Sequence, residues 1–249
     1  FSSQTGKELF AYIPSFVYDH LADLADPGYS HQFYVDNTAM VAKTATKDIL
    51  VCGLRKGGKG YFALDVTDPT GMEASDVLWE YPCDATGADP DMGYSFSKAF
   101  IVKTEAEGYV AIFGNGYDSA SGEAVLYVLD AETGAVLRKL KTGVTGCNGL
   151  STPAIVDVEL DGIVDYAFAG DLKGNMWKFD LRGATRDEWD VAYRADASTP
   201  MPLITVRNTS GAVQPITAPP DVMLDCVAMK EGRGLMLVFG TGQYLNSDD

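Results

Sequence analysis

The sequence predicts an all-β protein, a modified β-propeller built of four-stranded antiparallel blades, of which this chain forms a partial ring. Three observations predict this fold. A short motif with an aromatic residue, an apolar residue and an aspartate occurs three times, a strand ending in glycine precedes each copy, and the repeat interval is nearly constant. Repeats of this kind bury their faces only against neighbouring repeats.

The three copies of the motif lie at residues 62–65, 127–130 and 177–180. In each copy the aromatic and the apolar residue are two positions apart, so a strand directs both side chains to one face. We expect that face to be the buried one. A Thr-Gly step follows the first two copies, and its threonines, Thr70 and Thr133, are 63 residues apart.

A strand ending in glycine is predicted before each copy, and a fourth such strand stands near the end of the chain, at 49–53, 110–114, 166–170 and 235–240. With a leading and an outgoing strand, each repeat has the four strands of a propeller blade. We expect residues 1–249 to form a single propeller domain of about four to five blades, truncated mid-blade at both ends. A β-sandwich with similar hairpins is the alternative.

Composition favours a folded, acidic protein. The chain has 249 residues, of which 46% are apolar, so it can bury a sizeable core. Its formal net charge of −16 repels phosphate backbones and anionic membranes, which disfavours nucleic-acid binding and membrane docking and favours divalent cations. No apolar run reaches the length of a membrane-spanning helix. Residues 15–24 are predicted to form a short helical insertion.

The chain begins without methionine or a basic and apolar leader, so we expect a piece of a longer protein rather than a processed export product. Four cysteines, with no Cys-x-x-Cys pair and no histidine nearby, argue against a zinc site. Their pairing stays open, and buried free thiols are an equal alternative. These residues are Cys52, Cys83, Cys147 and Cys226.

One segment has the pattern of a calcium loop. Acidic residues occupy its positions one, three, five and nine, a glycine occupies the sixth, and a backbone carbonyl is available at the seventh. Alternate residues of a tight loop direct oxygen atoms to one point, and hard oxygen ligands suit Ca²⁺ better than transition metals or Mg²⁺. The predicted ligands are Asp157, Glu159, Asp161, the carbonyl of Ile163, and Asp165.

The loop lacks the bidentate glutamate of an EF-hand, because its twelfth position is Phe168. Asp165 would therefore complete the ligand shell from a strand. An Asp-Gly turn with solvated acids and no ion is the equal alternative. Elsewhere, the glycine-rich stretch 53–60 is interpreted as a hairpin turn. Asp84, Asp89 and Asp91 are interpreted as solvated charges in a loop, with a second cation site as the weaker alternative.

Five segments together resemble the PilY-type type IV pilus adhesins, a family that includes the neisserial PilC proteins. They cover the chain in order, at 60–69, 113–117, 126–130, 170–181 and 239–245. The resemblance implies a non-enzymatic, surface-exposed propeller, exported through the periplasm to the pilus tip or outer membrane. Such a protein supports pilus assembly, counters retraction in twitching motility and mediates attachment.

The same resemblance implies Ca²⁺ as the cofactor, bound by the loop that begins at Asp157. Glu159 departs from the Asp or Asn that is usual at its position. The implied partners are minor pilins at the pilus tip and host or abiotic surface receptors. The Arg-Gly-Asp tripeptide that some members use for integrins is absent, because Arg182-Gly183 is followed by alanine.

A quinoprotein-like dehydrogenase is the alternative function, since the Asp-x-x-Thr-Gly turn at 130–134 also resembles that enzyme class. Those enzymes typically place an adjacent cysteine pair beside the quinone, and this sequence has none. No Ser-His-Asp or Cys-His arrangement is evident from spacing. We therefore expect no catalytic residues.

Overall fold

A computed structural model describes residues 1–83, 88–224 and 234–245. Two four-stranded antiparallel sheets come first in the chain. The first sheet contains β1 (Met40–Lys43), β2 (Asp48–Gly53), β3 (Tyr61–Asp65) and β4 (Val77–Tyr81), in that order. The second sheet contains β5 (Phe100–Thr104), β6 (Gly108–Gly114), β7 (Val125–Asp130) and β8 (Val136–Lys141).

A third antiparallel sheet and a hairpin follow. The third sheet contains β9 (Ala154–Val156), β10 (Tyr166–Gly170), β11 (Asn175–Asp180) and β12 (Asp190–Val191), with β13 (Ile204–Thr205) also paired to β11. The hairpin contains β14 (Asp221–Leu224) and β15 (Leu235–Val238). The helical segments are short 3₁₀ turns at Ser15–Ala25, Arg55–Gly57, Ala74–Asp76 and Arg186–Glu188.

The predicted all-β architecture is confirmed, with consecutive four-stranded antiparallel sheets that form a partial ring. The predicted insertion at 15–24 is the 3₁₀ segment Ser15–Ala25, and the glycine-rich stretch 53–60 connects β2 to β3. Each glycine-ending strand pairs with the aspartate-ending strand that follows it in all three sheets. The number of blades in the whole domain stays a prediction.

The first strands of the sheets surround a common axis. Side chains of β1, β5 and β9 line one cavity of about 330 Å³. The segments that lead into β1, β5, β9 and β14 meet at a second cavity of about 340 Å³. This is the arrangement of a propeller, in which the first strand of each blade faces the central channel.

The second sheet is buried on both faces. Val110 and Ile112 of β6 belong to an apolar cluster shared with the third sheet, whereas Ala111 and Phe113 belong to a cluster shared with the first. The expectation of a single buried face is therefore wrong for this sheet. A blade with a neighbour on each side has no solvated face.

The aromatic residue of each motif faces the preceding unit. Tyr127 packs among residues of the first sheet, and Trp177 packs among residues of the second. Phe62 of the first sheet instead contacts the N-terminal segment, where the Tyr12 ring lies 5.1 Å from it. The N-terminal segment thus covers the face against which a preceding blade would pack.

The aspartate of the motif shapes the turn that follows the third strand. Asp65 accepts hydrogen bonds from the backbone amide and the hydroxyl of Thr67, at 3.0 and 2.6 Å. Asp130 accepts the same pair of bonds from Thr133, at 2.7 and 2.8 Å. These aspartates end the strand by capping local amides, which explains their recurrence without any role in chemistry.

Asn115 joins the second sheet to the third through a buried side chain. Its amide donates to the carbonyls of Asp91 and Glu123, at 2.7 and 2.8 Å. Its side-chain oxygen accepts from the backbone amides of Val125 and Leu150, at 3.0 and 2.9 Å. All four polar positions of the side chain are used, in a place that water does not reach.

We expect Asn115→Ala to lower the free energy of unfolding by about 2–4 kcal/mol, because it leaves buried backbone groups without partners. Asn208→Ala is the matched control. Asn208 also bonds backbone amides, but in an exposed turn where water replaces it, so the loss should stay below about 1 kcal/mol. Urea denaturation measures both, and equal losses would contradict the assignment.

Two acidic residues that were expected to be solvated are buried instead. The side chains of Asp89 and Asp91 are 6% and 8% exposed. Lys139 lies 2.7 Å from a carboxylate oxygen of Asp89 and 3.3 Å from one of Asp91, and Lys141 lies 3.0 Å from Asp91. The expectation was wrong because the partners are some 50 residues away in sequence. Asp84 lies outside the described residues.

Asp89 also joins the first sheet to the second. Its second carboxylate oxygen accepts hydrogen bonds from the hydroxyls of Tyr81 in β4 and Tyr127 in β7. Burial alone would raise the pKa of Asp89, but the bonds from Lys139 and the two tyrosines outweigh it and hold the pKa below its ordinary value. The folded protein therefore stabilises the ionised carboxylate of Asp89 relative to the unfolded chain.

The depressed pKa of Asp89 predicts a loss of stability in acid. The contribution is complete above the unfolded value of about 3.9 and disappears as the pH falls through the lower folded value. Asp89→Asn should therefore be less stable at pH 7 and lose less free energy of unfolding between pH 7 and pH 3 than the unsubstituted protein. Asp187→Asn, at an exposed carboxylate, should keep the original pH dependence. Parallel curves for all three proteins would contradict this role.

Candidate functional site

The predicted calcium loop connects β9 to β10 in the third sheet. The backbone amide of Asp165 donates to the carbonyl of Val156 at 2.8 Å, which closes the hairpin below the loop. The neighbouring amide of Val164 donates to the carbonyl of Lys103 in β5, also at 2.8 Å. The loop is therefore fixed to the second sheet as well as to its own.

Three of the predicted ligands come together. One carboxylate oxygen each from Asp157, Glu159 and Asp165 can be chosen so that all three lie within 4.8 Å of one another. Glu159 is exposed, whereas the other two residues are partly buried. The longer side chain of Glu159 thus reaches the same point as the two aspartates.

The fourth predicted carboxylate is placed differently. Asp161 is outside this cluster, and its carboxylate accepts a hydrogen bond from the backbone amide of Ile163 at 2.8 Å. Asp157 accepts from the amides of Asp161 and Gly162, at 3.2 and 2.7 Å. These bonds turn the loop tightly, as does Gly162 itself with φ +85°.

The loop carries a cluster of negative charge. The basic groups around it are Arg182, which acts on Asp165, and Lys43 and Lys103 in the cavity that Asp157 lines, and among the described residues they form no close ion pair with it. The hydrogen bond with Asp165 and the charge of that carboxylate raise the pKa of Glu159 above its ordinary value. In the described part of the chain, no lysine or arginine lies within 4.0 Å of the carboxylates of Asp157, Glu159 or Asp165. A divalent cation would relieve this repulsion, and a set of hard oxygen atoms fits Ca²⁺.

The hairpin between β10 and β11 is built around a buried carboxylate that the sequence analysis did not single out. Asp171 is fully buried, and one of its oxygens accepts from the side chains of Asn148, Asn175 and Trp177, at 2.9 to 3.0 Å. The other oxygen accepts backbone amides of Lys173 and Asn175, both at 2.9 Å. Five donors compensate its burial, so Asp171 is a structural residue of the hairpin.

Two cysteines are placed as free thiols. Cys52 is buried in the first sheet, and burial raises the pKa of its thiol to about 11, so it is a poor nucleophile. Cys147 is exposed. Cys226 lies outside the described residues, so the pairing question stays open for it. Across the described ranges, no helix has the length and apolar character required to cross a bilayer.

Comparisons with known proteins place these features in one family. The sequence profile described as the PilY1 beta-propeller domain matches residues 3–249. The chain is 40% identical over 264 residues to the type IV pilus biogenesis factor PilY1 of Pseudomonas aeruginosa strain PAO1, covering 98% of this chain and 22% of the relative. It is 38% identical over 259 residues to a PilY1 homolog of Xylella fastidiosa, covering 98% of this chain and 17% of that relative.

The fold agrees with a solved structure. The crystal structure of the Pseudomonas aeruginosa PilY1 C-terminal domain matches with a TM-score of 0.81 and 37% sequence identity, covering 98% of this chain and 50% of that one. The chain spans about a fifth of the length of the curated relatives it matches. These relatives are named as pilus biogenesis factors rather than as enzymes.

Proposed function

This chain belongs to the PilY1 β-propeller family of type IV pilus biogenesis factors, and from that premise we propose that it is a non-enzymatic, calcium-binding propeller that regulates pilus retraction and surface attachment. The observation that carries the calcium proposal is the group of carboxylates from Asp157, Glu159 and Asp165. The names of the relatives support a role in the pilus machinery and a location at the surface or on the pilus.

The ion would act on the junction between two sheets. With no cation bound, the three carboxylates repel one another and oppose the closed loop. With Ca²⁺ bound, the closed loop is favoured by mass action, because the ion binds only the folded arrangement. Since Val164 of this loop is bonded to β5 at 2.8 Å, the second sheet would be held more firmly against the third.

We further propose that minor pilins at the pilus tip and host or abiotic surface receptors are its partners. A propeller supplies rigid sheets with exposed connecting loops, and binding residues are concentrated on such loops. A stiffer junction between sheets under calcium would keep those loops in one arrangement while the pilus is under tension. This step connects the ion to retraction and attachment.

Calcium titration calorimetry tests the site directly. We expect saturable binding by the unsubstituted protein, with affinity reduced on the order of 10- to 100-fold or more in Asp165→Asn, because one charged ligand is lost. Glu159→Gln should weaken binding in the same direction. Asp187→Asn, at an exposed carboxylate outside the loop, should bind as the unsubstituted protein does. Absence of saturable heat at millimolar calcium would remove the site.

Retraction is tested with the full-length protein in a bacterium that depends on it for pili. We expect Asp165→Asn to alter twitching-zone diameter and the amount of surface pilin recovered by shearing, with Asp187→Asn as the control. We expect these changes because the substitution removes the calcium-dependent stiffening of the loop. Normal twitching and piliation in Asp165→Asn, when calorimetry shows that calcium binding is lost, would separate the ion from retraction.

A further inference from the structure

The cavity at the end of the axis opposite the calcium loop is formed by the same position of four repeats. The segments that lead into β1, β5, β9 and β14 each contribute one residue just before the strand. These residues, each two positions before its strand, are Thr38, Lys98, Thr152 and Pro219, and all four line the cavity of about 340 Å³, as does Thr217. We call this cavity the axial mouth.

The axial mouth is basic, although the protein is acidic. Among the residues that the structure describes, its lining includes Lys98 and Arg55 and no aspartate or glutamate, in a chain with 35 acidic and 19 basic residues. Arg55 forms an ion pair with Asp36, at 3.9 Å between the guanidinium nitrogen and the carboxylate oxygen. Within the residues that the structure describes, the Lys98 ammonium has no carboxylate within 4.0 Å. A basic concavity of this kind concentrates anions.

Several donors face the mouth. The hydroxyl oxygen of Thr152 accepts the backbone amide of Lys98 at 3.1 Å, which leaves its proton available to a ligand. The hydroxyl of Thr217 donates to the carbonyl of Gly242 at 2.8 Å, so it shapes the wall and does not donate to a ligand. Thr152, Lys98 and Arg55 thus line the mouth with donors that an oxyanion could accept from.

An aromatic cleft adjoins the axial mouth. The two share Phe96, Tyr117 and Leu245, and the cleft, of about 720 Å³, continues along Tyr94 and Phe33. The Phe96 and Tyr117 rings are 5.4 Å apart, and the Arg55 guanidinium lies 5.6 Å from the centre of Phe96. An apolar surface beside a charged one favours an organic anion over inorganic phosphate.

We propose that the axial mouth binds the free C-terminal carboxylate of a peptide that ends in an aromatic residue. The carboxylate accepts charge-assisted hydrogen bonds from Lys98 and Arg55, and the terminal side chain packs on Phe96 and Tyr117. A peptide terminus supplies a carboxylate next to a side chain, which matches a basic mouth next to an aromatic cleft. This site is distinct from the calcium loop and does not depend on it.

The test uses this protein and the peptide acetyl-Gly-Gly-Phe with a free carboxylate or a C-terminal amide. Calorimetry should show saturable binding of the acid, with the amide at least about tenfold weaker because a charge-assisted bond is lost. Lys98→Gln should weaken binding of the peptide acid by a similar factor, and Lys98→Arg should retain that binding. Lys103→Gln, in the strand that follows Lys98 but lining the cavity at the other end, is the matched control and should leave binding unchanged.

Three results would overturn the proposal. Equal affinity for acid and amide would show that the carboxylate is not recognised. Equal weakening of peptide binding by Lys98→Gln and Lys103→Gln would show that the effect comes from the net charge of the protein and not from Lys98 at the mouth. Tighter binding of glucuronate than of the peptide would assign the mouth to an acidic sugar. Thermal denaturation of each variant confirms folding, and the Lys98 side chain is exposed, so the substitution removes no packing.

Discussion

The structure depends on the packing of each sheet against the sheet that precedes it. The second sheet contributes alternate residues of β6 to two different apolar clusters, one on either side. Burial of both faces means that removing a neighbour exposes a complete hydrophobic surface to water. The N-terminal segment meets the same requirement at the first sheet, where Tyr12 and its neighbours cover Phe62. Every loop at the ends of the strands is positioned by this packing.

The strands themselves were predictable because the information that specifies them is local. The apolar period of two, the glycine at the end of one strand and the aspartate at the end of the next are close together in the sequence. The observed strands β2, β6 and β10 end at the glycine, and β3, β7 and β11 end at the aspartate. Burial on both faces was not predictable in this way. It depends on which sheets become neighbours. The same holds for Asn115 and Asp89, whose partners lie in other sheets.

The candidate calcium site was also predictable from the sequence only in part. Asp157, Glu159 and Asp165 come together because a hairpin brings positions one, three and nine to one side. Asp161 lies outside the cluster, and its carboxylate accepts the amide of Ile163. Residue spacing can predict which carboxylates share a loop, but it cannot decide between a ligand and a loop-capping bond. The axial mouth was missed altogether, since its lining comes from four separate repeats.

The axial mouth and the calcium loop lie at the two ends of the same strand, but within the described residues no element with two alternative arrangements connects them. Thr152 at the axial mouth and Asp157 in the calcium loop are the two ends of one segment that contains β9, about 17 Å apart if fully extended at about 3.3 Å per residue. Coupling between sites requires an element with two arrangements that both ligands bias. A short first strand, paired along its length to β10, offers one arrangement only. Calcium would therefore set the stiffness of the sheet junction, while the axial mouth would keep the same donors whether the loop is closed or not.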